Sequence, residues 1–135
     1  MALFTSNRDF QLWDYTVTHK QLLLRSPRGP NVADNIDIVF WSVRYLNLQT
    51  ALRGLAIDLA STQDAASVEA IFGGAPDVSV IRIDTSEKQF FIAAGGFRVL
   101  QNDRDIFDST LCYMGDDRPI ESCGKELVRF RSPAN

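Results

Sequence analysis

The side chains best suited to chemistry are few and scattered. His19 is the one histidine, and histidine titrates nearest neutrality, so it is the natural general base. Paired with Cys112 or Cys123 it could activate a thiol nucleophile. Neither cysteine stands in a nucleophile motif, and His19 sits in a polar stretch, Thr18 to Gln21, that reads as a turn. The expectation is a solvated histidine, Cys112 as a small buried hydrophobe beside Leu111 and Tyr113, and Cys123 as a loop thiol. No catalytic residue is assigned, and an enzyme is not the favoured reading.

Asp103, Asp105 and Asp108 crowd a short stretch, and clustered carboxylates can hold Ca²⁺ or Mg²⁺. The glycine and distal glutamate of an EF-hand loop are missing, and Arg104 stands among the acids. They are read as solvated turn residues, as are Asp116 and Asp117 beside Arg118. No metal site and no cofactor are expected. Gly73-Gly74 and Gly95-Gly96 belong to no phosphate loop: the sequence has no Gly-x-Gly-x-x-Gly, no Walker lysine and no Gly-x-Ser-x-Gly elbow.

Arginine is the remaining candidate. Its planar fork grips carboxylate or phosphate. Arg44, Arg82 and Arg98 each fall within an apolar run, so each could line a ligand site if it faced the inside of a barrel.

These residues must be positioned by strands. The densest β-branched and aromatic run is Asn35 to Leu48. Its apolar parity changes midway: Ile36, Ile38 and Phe40 are even, whereas Val39, Trp41, Val43 and Tyr45 are odd. Alternate side chains point to opposite faces, so either a bulge or bend lies near Val39 to Trp41 or the middle of the strand is covered on both sides. Phe10 to Val17 changes parity too. Leu22 to Leu24 answers it across the polar turn, as a hairpin. Further strands are expected at Leu55 to Leu59, Val78 to Asp84, Phe90 to Ala94 continuing past Gly95-Gly96 to Leu100, Thr110 to Met114 and Leu127 to Arg131. Ala65, Val68, Ile71 and Phe72 recur at helical spacing, with Ser61 or Thr62 to cap the start and Gly73-Gly74 to stop it.

The expected fold is therefore mainly β, bordering on α+β. It is a single antiparallel domain over residues 1–135, a strongly bent sheet or partly closed barrel with one short covering helix near 63–72. The 135 residues are 45% hydrophobic and 23% charged, the composition of a folded globular chain. A net charge of -3 gives no support to nucleic-acid or anionic-membrane binding. Without a signal peptide or a long apolar run, the cytoplasm is the expected location. The aromatic strands carry bulky groups on both faces, more than one short helix can cover. The leading expectation is thus a non-catalytic binding or assembly module, using an apolar or aromatic sheet surface toward a protein partner or a second copy. The alternative is a small-ligand protein or enzyme with the arginine-lined site inside a barrel.

Overall fold

Large apolar residues at alternate positions build a sheet that must hide both of its faces. The computed structural model describes residues 2–111 and 124–133. In chain order the elements are β1 (Phe4–Thr16), β2 (Gln21–Ser26), β3 (Asn35–Trp41), β4 (Tyr45–Asn47), β5 (Ala51–Leu59), α1 (Thr62–Phe72), β6 (Ser79–Asp84), β7 (Gln89–Ala94), β8 (Gly96–Asn102) and β9 (Lys125–Arg131). All pair antiparallel in one sheet, in the order β4-β7-β6-β5-β1-β2-β3-β8-β9. β4 and β9 are its edges, so the sheet is not closed into a barrel; inward side chains from β1 to β3 and β5 to β8 meet in one core, which requires the sheet to be strongly bent.

The parity changes have physical causes. In β1 the register with β2 slips between Leu12 and Asp14: Leu12 faces the core residue Leu24, but beyond the bulge it is Tyr15 that faces the core residue Leu22, so the parity passes from even to odd. In β3 there is no slip: Asn35 to Trp41 pair in steady register with β8, and Phe40 to Ile36 do so with β2. Over Asn35 to Trp41 the strand is covered on both sides. Leu23, Val39, Leu100 and Leu111 form a small cluster on the outer side, opposite the main core. The bend comes after Trp41, at residues 42–44, where the strand breaks before β4. Trp41 pairs with Gly96 and Tyr45 with Ala93, which leaves one extra residue on the β3–β4 side. Gly95 N–H to Trp41 O and Arg44 N–H to Ala93 O, both 2.8 Å, carry the ladder through the bend.

Gly96 is required there. A Cβ at this position would collide with the Phe130 carbonyl oxygen and the Trp41 ring. The inner face is largely apolar, with Phe10, Phe40, Phe97, Ile38, Ile57, Ile81 and Ile83 fully buried. Phe40 and Phe130 both contact Phe97, at ring separations of 5.6 and 5.9 Å.

Two lids cover much of the outer face. α1 follows its sequence signals closely. Ser61 accepts from the Asp64 amide, and Gly73 ends the helix in the left-handed region with its N–H on Glu69 O. The helix packs Val68, Ala65 and Phe72 against Val80, Ala93 and Phe91. The second lid is the chain from 103 to 111, without helix or strand, laid over the β2–β3–β8 side. Ile106 and Phe107 are in a turn. The strand expected over 110–114 lies mostly outside the described residues, and Thr110 and Leu111 are not in one.

Candidate functional site

A left-handed backbone costs an ordinary L-residue about 1–2 kcal/mol, and such residues cluster at ligand clamps. Among the described residues two non-glycines adopt it, Lys20 at φ 50° and Ser42 at φ 51°. They lie in different loops. Lys20 closes the β1–β2 hairpin and Ser42 opens the break between β3 and β4. One hydrogen bond joins the loops, from Val43 N–H to Lys20 O at 3.0 Å.

Beside this junction lies a pocket of about 400 Å³. Tyr15 and Lys20 come from the hairpin, Val43 and Arg44 from the break, and Phe72, Gly74 and Ala75 from the end of α1. Phe72 is held by stacking on Tyr45, with ring centroids 5.9 Å apart and planes 18° from parallel. The walls are thus partly aromatic and the rim carries two cations. Glu69 lies beside Gly74, and Asp77 is the acid nearest Arg44: its Oδ2 lies 3.5 Å from Arg44 Nη2, with the two side chains 56% and 41% exposed. That is longer than a good N–H···O bond, and exposed pairs hold weakly, so Arg44 keeps donors for another acceptor. Two cations and two rings at one mouth can take an anionic group carried on an apolar or aromatic stem.

Of the three arginines singled out by sequence, only Arg44 is here. Arg82 lies between Ile81 and Ile83, which face the core, so alternation turns it to the outer face, where its Nε meets Asp84 Oδ2 at 3.1 Å. Arg98, between Phe97 and Val99, is turned outward in the same way, opposite Arg129 on β9. The structure does not bring the three together. His19 is exposed in the turn next to Lys20. Among the described residues, no three His, Cys, Asp or Glu side chains converge as a metal site would need. Asp105 instead accepts from the Phe107 amide at 2.9 Å, Asp108 pairs with Arg104 at 3.2 Å, and Asp103 is exposed. Cys112, Cys123, Asp116 and Asp117 lie outside the described residues. No described helix is long and apolar enough to cross a membrane.

A second polar constellation is buried. Arg25 and Asp37 are both fully buried and share two bonds, Nε to Oδ1 at 2.6 Å and Nη2 to Oδ2 at 2.9 Å. Asn102 donates to Asp37 Oδ2 at 3.0 Å, and Asn35 donates to Asn102 Oδ1 at 2.9 Å and to Arg104 O at 2.9 Å. Arg25 also reaches the carbonyls of Ile106 and Asp108, and its guanidinium lies 5.5 Å from the Trp13 ring centre. Every member has partners, which is what makes a buried charge pair tolerable. Its effect is to pin the 103–111 lid to the sheet.

Sequence reasoning missed Lys20, Tyr15 and this network. Lys20 was visible only as part of a polar turn, and nothing in the order of residues places it against Arg44. In comparisons with protein-family models, with curated proteins and with solved structures, nothing matches this chain.

Proposed function

We propose that this protein is a non-catalytic binding or assembly module whose recognition site is the Tyr15, Lys20, Arg44 and Phe72 pocket. The observation that supports the reading is the joining of two left-handed, non-glycine turns by the Val43 to Lys20 bond, which sets two cations at one aromatic mouth. Glycine would relieve the backbone at either turn. A lysine at such a backbone position is consistent with a side chain that is used. The ligand class is an anion on an apolar or aromatic stem: the rings supply contact area, and the cations supply orientation and partner choice.

Exposed charge pairs contribute about 0.2–1 kcal/mol each, so a small probe should bind only near the millimolar range. Phenyl phosphate titrated into the ¹⁵N-labelled protein should move the amides of residues 15, 20, 43, 44 and 72–75 together. Lys20→Ala with Arg44→Ala should abolish the shifts. Shifts spread evenly over the surface, or unchanged in the double variant, would end the reading.

A further inference from the structure

The pocket's occupant follows from a second feature of the same chain, and the inference rests on the reading just given. Phe107 is 86% exposed, more than any other large apolar side chain described. One exposed apolar residue is ordinary on a protein surface. What sets this one apart is how firmly it is presented. The buried Arg25 guanidinium donates to the carbonyls on either side of it, Ile106 O at 3.1 Å and Asp108 O at 2.8 Å. The Phe107 amide donates to Asp105 Oδ1 at 2.9 Å, and the Asp108 amide donates to Asp105 O at 2.9 Å. Arg104 Nη1 reaches Asp108 Oδ2 at 3.2 Å and Ser109 O at 3.3 Å. The ring therefore stands on a turn whose backbone is already ordered, so seating it elsewhere costs little further entropy.

The tip is acidic, and the pocket offers two cations to meet it. Around Phe107 are Asp103, Asp105 and Asp108 against Arg104; at the pocket are Lys20 and Arg44, with Asp77 near Arg44 and Glu69 beside Gly74. Their places in the fold matter as well. The tip is tied to β2 and β3 at the end where Arg25 faces Asp37 and Ser26 faces Ile36. The pocket lies at the opposite end, beyond Leu22 and Phe40. Tip and pocket of one molecule are therefore held apart, while those of two molecules can meet.

We propose that the pocket takes a second copy of this chain: Phe107 of one molecule enters between Tyr15 and Phe72 of the next, and the acidic turn around it faces Lys20 and Arg44. The contact joins unlike surfaces, so it is heterologous.

Sedimentation equilibrium on the full chain, from about 10 micromolar to about 1 millimolar, tests this. The weight-average mass should rise above that of one chain and fall back as salt is added. Phe107→Ala and Arg44→Glu, each checked for cooperative unfolding, should both remain single chains. Mixed in equal amounts they should associate again, because the first keeps the pocket and the second keeps the tip. That recovery separates a tip-in-pocket contact from any general loss of stickiness. A wild-type chain that stays single throughout, or a Phe107→Ala chain that associates like wild type, overturns the inference. If phenyl phosphate still binds the pocket in that case, the binding-module reading stands and only the second copy is wrong. If it does not bind, both fall.

Discussion

Arg25 and Asp37 face each other in register across β2 and β3, both with no exposed side-chain surface, and their guanidinium–carboxylate pair is doubly bonded. The same guanidinium holds the 103–111 lid by two backbone carbonyls. One side chain thus links the interior of the sheet to the surface turn that presents Phe107.

Breaking that pair from one side should be costly. Asp37→Leu leaves an unpaired buried guanidinium, and we expect a loss of about 3–5 kcal/mol in urea unfolding. Arg25→Met with Asp37→Leu should recover part of it, since the desolvated charges go together. The double variant should still loosen the lid, read as faster amide exchange at residues 106–108.

Gly96 and Gly95 should differ in tolerance. Alanine at 96 would drive a methyl into the Phe130 carbonyl and the Trp41 ring, whereas at 95 the nearest atoms, on Ser42 and Trp41, are 3.1 Å away. Gly96→Ala should destabilise by about 1–3 kcal/mol or more and detach β9, while Gly95→Ala should cost less. Thermal unfolding and amide exchange in Lys125–Arg131 report both.

Lys20 offers a test of stability against function. Lys20→Gly relieves a left-handed L-residue, partly offset by the freer unfolded chain, for a net gain of roughly 0.5–1 kcal/mol. The same change removes a pocket cation, so phenyl phosphate binding should weaken while Tm rises. Ser42→Gly should raise Tm without the binding loss.

Ser61→Ala removes the acceptor for the Asp64 amide and should cost about 1 kcal/mol, with Ser61→Asp close to neutral. Because α1 covers Val80 and Ala93, amides of β6 and β7 should exchange faster in the alanine variant.

Local chemistry was legible in the residue order. Ser61 and Gly73 bracket the helix because capping is satisfied by neighbours only a few positions away. The parity change in β1 marked its bulge, because side-chain alternation is a property of the strand itself. The parity change of β3 left a bulge or bend and double-sided cover both open; the strand is covered on both faces and bends just after Trp41.

Arg25 was not legible: it stands in a stretch, Arg-Ser-Pro-Arg-Gly-Pro, that reads as a strand terminator, yet it is fully buried. Its partners lie 12, 81 and 83 residues away, beyond any local pattern. Arg82 and Arg98 had the right neighbours for an inward site, but neighbours that face the core are the very reason alternation turns them out.

The order of residues by itself determined a mainly antiparallel β domain with one capped helix, since propensity, alternation and capping act between near neighbours; that the sheet stays open was decided by the strand order. Which cations share a mouth, and which aromatic ring is left standing in water, was decided only by the tertiary structure. Those facts depend on how the break after Trp41 brings residue 44 beside residue 20, and on a buried guanidinium holding a loop from far along the chain.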